Sequence, residues 1–441
     1  MPGSIFTPDA KFTPWWWEAA PPTSGHDGTP PEACDVAIVG AGFTGLSAAR
    51  TLAKAGRDVV VLDAQDPGHG ASSRNGGMVG AGHRNGYYGL EKLYGAENAL
   101  AILREGLNAL AFTTGLIESE NIDCDFKRVG RFHGAWSKAH LDELTRDLEV
   151  ITSKIDYEAI PVSHADVRSE VNTDRYVGGF VYPAHGGLHP GKFHRGLRAA
   201  AEQAGARVYG HQPATNIRRD GDGMTLQLPD GTLRAKHVIA ATNGYTGKEN
   251  TWLLDRIMPL RSYIIATEPL GKNRVTALFP NHRMIVETRM RHGYYRPSPD
   301  GERILFGGRA ALSQITPEKS GKRLRSFVTD LFPELKDVKV THSWSGQIAY
   351  TTDVMPHIGV VDGVHYAMGY CGSGVAMAPY MGDRVAHAVM GDAHAASAFS
   401  KVPFKPYPFG RLSHLAMPLA DFYYAGVDLA QDYIGRREHG R

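Results

Sequence analysis

The stretch "CDVAIVGAGFTGLSAARTLAKAGRDVVVLD", residues 34–63, decides the fold. A short apolar run ends at Gly40, small and apolar residues follow from Gly45 to Gly56, a C-cap candidate, and a second apolar run closes on Asp63. The pattern predicts strand, glycine turn, helix and strand, one βαβ unit. Within "GAGFTG" (40–45), Gly40 permits the tight turn, Gly42 lets the backbone approach a pyrophosphate, and Gly45 lets helix and strand close on each other. Free amides at the helix start, around Ala41, Phe43 and Thr44, favour phosphate charge. Asp63, followed by Ala64, can accept hydrogen bonds from an adenosine ribose and would repel the extra phosphate of NADP. The unit predicts a dinucleotide site without separating FAD from NAD.

A second glycine-rich stretch, "PGHGASSRNGGMVGAGHRNG" (67–86), stands where a crossover helix would be expected. Backbone amides freed by Gly76 and Gly77, the side chains of Ser72, Ser73, Arg74 and Asn75, and the adjoining Met78 suit the phosphate and ribityl part of a longer cofactor. A flexible surface loop satisfies the same residues, and residue chemistry alone leaves the two readings open.

A chain of 441 residues suits two domains. Its formal charge of +2 gives no electrostatic footprint for nucleic acid or an anionic membrane, so the expected partner is a small molecule. Cys34, Cys124 and Cys371 are too scattered for a disulfide framework or a closed zinc site, which fits a reducing compartment. The N-terminus lacks the pattern of a signal peptide and no stretch reads as long as a membrane span, so a soluble, cytoplasmic protein is expected. Residues 1–34, around Trp15, Trp16 and Trp17, read as an irregular arm tied down by aromatic burial. Helices are predicted over 97–119, 138–153 and 191–205, strand-like runs over 206–209, 214–219 and 224–228, and a hairpin at "PDGT".

"HGGLHPGKFH" (185–194) places His185, His189 and His194 close in sequence. The intervening glycines and Pro190 oppose a helical ligand pair, so no metal is expected. His189 is a candidate for the substrate entrance. "GDAHAASAF" (391–399) is similar to a motif of aromatic hydroxylases but follows the C-terminal helix, and carries no weight here.

"GASSRNGG" downstream of GAGFTG and an acidic strand end resembles the FAD-dependent amine oxidases of the D-amino-acid oxidase superfamily. "HVIAATNGYT" (237–246), "HGYYRPSPDGERILFGGR" (292–309), "WSGQIAYTTDVMPHIG" (344–359) and "HYAMGYCGSGVAMAP" (365–379) resemble further segments of that family in the right order. The branch that includes gamma-glutamylputrescine oxidase is the nearest by this reading, sarcosine oxidase a more distant relative. The resemblance implies an α/β fold: a Rossmann-type FAD-binding domain with a parallel sheet, interleaved with an α+β substrate domain on a mixed or antiparallel sheet. It divides the chain into an arm (1–32), FAD-binding parts (33–110, 183–250, 340–400), substrate parts (111–182, 251–339) and a tail (401–441). FAD contacts are expected from the two glycine stretches and from Ala214, Ala241, Thr242, Asn243, Gly244, Tyr245, Gly346, Gly369, Gly372, Ser373, Gly374 and Val375. In the last run, the glycines allow a close approach, and the helix that follows can face charge developing on the flavin.

The implied chemistry is hydride transfer from the carbon beside a neutral amine to flavin N5, giving an imine that water hydrolyses. Matching the hairpin and the "IAYT" strand puts Tyr295 and Tyr350 on active-site tyrosines. Phe306 falls where sarcosine oxidase carries an oxygen-activating lysine, and Ala310 on a neighbouring histidine. Arg74, His83 or Arg309 is then expected to supply the cation for O2 to accept electrons and give H2O2, the alternative being an amine dehydrogenase with another acceptor. Ile348 falls on an attachment cysteine, so noncovalent FAD is expected, and Cys371 reads as a packing residue. Arg74, His83, Arg84, Arg296 and Arg309 could fix an anionic group on an amine substrate. An NAD-dependent dehydrogenase, a homo-oligomer, and a subunit docking through the arm and residues 423–441 remain rival readings.

Overall fold

The computed structural model describes residues 4–289, 293–311, 313–408 and 426–427. The expected tail contacts at 423–441 therefore lie almost entirely outside the described residues. The βαβ unit forms as read: strand Ala33–Val39, helix Phe43–Lys54 and strand Val59–Leu62, the two strands parallel with Val36 opposite Val59. Valine-rich strands buried on both faces suit a parallel sheet covered by helices. Strands Gly231–Ala240 and Arg207–Tyr209 flank this pair, again parallel, and the sheet extends to eight strands. The hairpin at "PDGT" joins Gly223–Leu228 to Gly231–Ala240, with Leu228 opposite Gly231.

A second, nine-stranded sheet runs in the order Phe6–Lys11, Val340–Tyr350, Met258–Thr267, Ile304–Gly308, Tyr294–Pro297, Met284–Glu287, Arg131–Ala135, Gly178–Tyr182 and Ile160–Val162. Two of its pairings are parallel, the rest antiparallel. Val340–Tyr350 lies in this sheet, although the expected division gave 340–400 to the nucleotide-binding part. Its ten-residue register against Met258–Thr267 places it there. The arm is less irregular than expected: Phe6–Lys11 adds an edge strand beside Val340–Tyr350, and Trp15–Glu18 forms a short 3-10 turn.

Alternation gives the nine-stranded sheet two unlike faces. On one, Tyr263, Ile265, Tyr295 and Phe306 join the apolar core with Leu324, Val328 and Leu331 of helix Pro317–Leu331. On the other, Trp344, Ile264, Leu305 and Tyr294 turn towards the second glycine stretch, where the Tyr294 ring lies 2.9 Å from the point a Cβ on Gly76 would occupy.

Helix Ala96–Ser119 is, contrary to expectation, long and apolar enough to cross a membrane. Its 56% buried window and the core positions Ile102, Ala109, Leu110 and Leu116 show instead a helix packed inside the protein, where Thr113 Oγ1 donates to the Ala376 carbonyl (2.8 Å).

Candidate active site

The first glycine turn is built around close contacts. Gly40 has φ +105° and would bring a Cβ to 2.8 Å from the Ala241 carbonyl oxygen, while a Cβ on Gly45 would meet the Gly40 oxygen at 1.9 Å. No side chain other than glycine fits either position. The N-cap of helix Phe43–Lys54 is Gly42, which has no side chain to close the helix start. Asp63 accepts from the Ala41 amide (2.9 Å), and burial raises its carboxyl above the usual range. Ser72 Oγ accepts from the Phe43 amide (2.9 Å), which brings the second glycine stretch onto the first. Thr44 Oγ1 pairs with the Tyr370 hydroxyl at 2.6 Å, tying the same helix to the glycine run "GYCGSG" (369–374).

The second stretch is internally ordered, so it is not a loose surface loop. Asn75 Nδ2 donates to the Ala71 and Ser72 carbonyls, and Asn75 Oδ1 accepts from the Gly77 amide at 2.8 Å. Gly77 has φ +65°, with the Leu188 carbonyl oxygen 2.1 Å from a would-be Cβ. Three tryptophans then fasten it: Trp16 Nε1 donates to the Asn75 carbonyl (2.9 Å), Trp17 Nε1 to Ser73 Oγ (2.8 Å) and Trp344 Nε1 to the Arg74 carbonyl (2.8 Å). Sequence reading gave the arm a packing role but missed its two bonds, because the Trp16 and Trp17 indoles donate to a carbonyl and a hydroxyl some sixty residues away. Met78 pairs with Gly187 in a two-stranded ribbon.

The remaining expected cofactor residues, with one exception, contact one another or the two glycine stretches. Asn243 (φ +44°) accepts from the Gly369 amide at 3.0 Å, Thr242 bonds Thr246, and the Tyr245 hydroxyl accepts from the Gln347 amide at 3.3 Å. Gly244 packs on the Ile348–Ala349 backbone and Gly346 on Arg74. Gly372 has φ +106° with nothing within 4 Å of a would-be Cβ, and helix Gly374–Met390 starts beyond Ser373 without a side-chain cap, Val375 being in its first turn. Ser373 Oγ donates to the Gly82 carbonyl (2.8 Å). Ala214 is the exception, packed in apolar core under the parallel sheet. Backbone amides at two helix starts, of which Gly374–Met390 lacks a side-chain cap, an acid at the strand end and glycines at the close approaches fit FAD's pyrophosphate, ribose and ring.

Three expected catalytic residues are placed otherwise. Tyr295 is 0% exposed on the core face, stacked on Phe306 (5.3 Å) and bonded to the Tyr176 hydroxyl (2.9 Å), so it meets no cleft. The ungapped match that chose Tyr295, Phe306 and Ala310 selected the core-facing register, and Tyr294 faces the cleft instead. His83 donates to the Ile102 carbonyl (3.1 Å) and packs on Phe399; desolvation lowers its pKa to about 4, leaving a neutral structural group. Arg74 is spent on backbone, its Nε donating to the His69 carbonyl (2.6 Å) and Nη1 to that of Ser345 (3.3 Å), with its guanidinium 4.4 Å above Trp17. Arg309 and Tyr350 are brought together, a guanidinium nitrogen bonded to the hydroxyl on the cleft side.

Arg296 is likewise structural, donating to the carbonyls of Gly77 and Leu188 (both 2.9 Å), with burial lowering its pKa to about 10. His189 caps helix Pro190–Gln203 by accepting from the Lys192 amide (3.2 Å) and faces Trp16 rather than an entrance. His194 donates to the Ala41 carbonyl (2.7 Å). Elsewhere, His387, Asp392 and His394 place ligand atoms within 4.8 Å of one another at the end of helix Gly374–Met390, joined by a His387 Nδ1–Asp392 bond of 2.7 Å.

A glycine-turned parallel sheet, a second glycine segment folded onto it and a large mixed sheet alongside define a dinucleotide-binding architecture. Residues 35–388 match the DAO family, FAD dependent oxidoreductase, and the chain belongs to it. It is 34% identical over 391 residues to gamma-glutamylputrescine oxidoreductase of Escherichia coli, covering 86% of this chain and 88% of that protein. Glycine oxidase of Geobacillus kaustophilus is 24% identical over 390 residues, covering 84% and 96%. The crystal structure of that organism's glycine oxidase superposes with a TM-score of 0.70 at 21% identity over 86% of this chain and 99% of the other. L-proline dehydrogenase of P. horikoshii gives 0.69 at 18%, over 86% and 98%. The protein is an FAD-dependent oxidoreductase.

Proposed function

We propose that the chain oxidises a primary or secondary amine that carries an anionic group, with O2 as the acceptor and H2O2 as a product. FAD would supply the electron acceptor when bound, taking hydride from the carbon beside a neutral amine, and water would hydrolyse the resulting imine to a carbonyl compound and ammonia (from a primary amine) or a smaller amine (from a secondary one). The observation that carries this reading is the Arg309–Tyr350 pair, a cation and a phenol bonded together on the sheet face that carries Trp344 and Tyr294. The phenol can orient the amine and the guanidinium can hold an anion or favour charge arising on O2. Ile348 offers no nucleophile for a covalent flavin. Cys371 donates its thiol to the Gly369 carbonyl (3.1 Å), and burial pushes its pKa up to about 11, so noncovalent FAD follows. The relatives act, by their names, on a glutamyl-amine conjugate and on glycine, both amines with a carboxylate.

The experiment is anaerobic mixing of the yellow holoenzyme with a panel of amines, followed by air and peroxide measurement. Bleaching by carboxylate-bearing amines with one peroxide per turnover is expected. Bleaching that air does not reverse would assign a different acceptor, and no bleaching by any amine would sink the substrate class.

A further inference from the structure

Beyond the residues named so far, the cleft face of the nine-stranded sheet continues through strand Arg131–Ala135, where Arg131 stands opposite Tyr182 and Met284. Arg131 is enclosed by protein, retains only partial exposure, and its Nε has no hydrogen-bond partner among the described residues. His185, 1% exposed, presents the same feature: Nε2 accepts from the Ala81 amide (3.2 Å), which puts the proton on Nδ1, and that Nδ1 is unpartnered. The Arg131 guanidinium reaches the same point through a terminal nitrogen, because a Cβ on Gly80 would lie 2.7 Å from His185 Nδ1 and 2.8 Å from that nitrogen. Gly80 is three residues past Gly77, and Gly82 is bonded to Ser373 at the final glycine turn, so this point adjoins the flavin cleft.

The surroundings are cationic or phenolic. The charges acting on His133 are Arg131, Arg84 and His140, those on His185 are Arg131 and His133, and those on Arg131 are the phenols Tyr157 and Tyr182. A carboxylate that acts on this group is Asp147, which acts on Tyr182 and accepts from the Tyr88 amide (3.1 Å). Desolvation lowers the pKa of His133 to about 4 and pushes that of Arg131 down, as it does for any cation denied a counter-charge. A buried guanidinium without a carboxylate is costly unless a ligand supplies one.

We infer that Arg131 and His185, with His133 and Tyr182 beside them, form an anion subsite that takes the carboxylate of the amine substrate, and Gly80 keeps its floor open. This rests on the proposed amine oxidation, and it names the part of the cleft that selects the substrate. Arg309 is thereby left to the reacting end.

The test uses holoenzyme and two probes. Glutarate, a dicarboxylate without an amine, is titrated against the flavin absorbance of wild type, Arg131→Met, Arg131→Lys and Gly80→Ala. Pairs of amines with and without a carboxylate are then compared by anaerobic flavin reduction. Loss of one charge-assisted interaction predicts glutarate binding weaker by about 10- to 100-fold in Arg131→Met, partly restored in Arg131→Lys, and weakened in Gly80→Ala. The apparent Kd of the carboxylate amine should rise by about 10-fold or more relative to its carboxylate-free partner in Arg131→Met. Equal losses for both amines, or undiminished glutarate binding, overturn the subsite. A shift in the flavin spectrum or potential without any change in glutarate affinity overturns it too. Should wild type oxidise no amine yet bind glutarate through Arg131, the anion site stands and the amine reading fails.

Discussion

The two faces of the nine-stranded sheet carry neighbouring residues with opposite fates. Tyr295 is sealed against Phe306, Phe279 and Phe332, while Tyr294, next in chain, bonds Ser262 (2.9 Å) and abuts the second glycine stretch. The difference teaches that in a strand a motif match must be right to the residue, since a slip of one exchanges core for cleft.

The sharpest break of this comparison is on the core face. Tyr295→Ala or Phe306→Ala should cost about 3–5 kcal/mol of stability by leaving a cavity among packed rings, read as a drop in Cm without a change in m. Preserved stability would mean that this face is not core. On the joint between the faces and the cofactor, Gly77→Ala forces a side chain into φ +65° and onto the Leu188 carbonyl. Purified protein should come out largely colourless, and retention of full flavin content would contradict the close approach. On the cleft face, Arg309→Met and Tyr350→Phe should lower flavin reduction or reoxidation by about 10-fold or more while Tm moves little; an unchanged rate would remove the pair from the mechanism. Trp17→Phe removes one indole bond of about 1 kcal/mol and should weaken FAD binding several-fold. Equal FAD affinity would show that the arm packs without positioning the loop.

The smallest effect is acid lability. His83 and His194 have pKa values lowered from 6.5 to about 4 by burial, so the unfolded chain binds their protons first. Stability should be complete above about pH 6.5 and fall as pH drops towards 4. His194→Gln should flatten this slope, and a profile identical to wild type would show that His194 does not contribute.

Much of the fold was readable because local chemistry repeats it. The Gly40, Gly42 and Gly45 spacing, the apolar strands beside it and Asp63 all follow from one helix start that must admit a phosphate. Helices read over 97–119, 138–153 and 191–205 form at Ala96–Ser119, Lys138–Lys154 and Pro190–Gln203, since their apolar period needs only neighbours in sequence. The candidate site was legible where glycine is obligatory and illegible where a side chain's direction matters. His83 and Arg74 have the chemistry of a site, yet their hydrogen bonds go to the Ile102, His69 and Ser345 carbonyls.

By itself, then, the sequence determined the nucleotide-binding unit and its glycine turns, because backbone sterics at those positions admit few residues, while the family of chemistry came from the resemblance of its motifs. Only tertiary structure decided that three tryptophans clasp the second glycine stretch, that Tyr294 rather than Tyr295 meets the cleft, and that Arg131 and His185 converge over Gly80. Each of these depends on contacts between residues far apart in the chain, and on which side of a strand they fall.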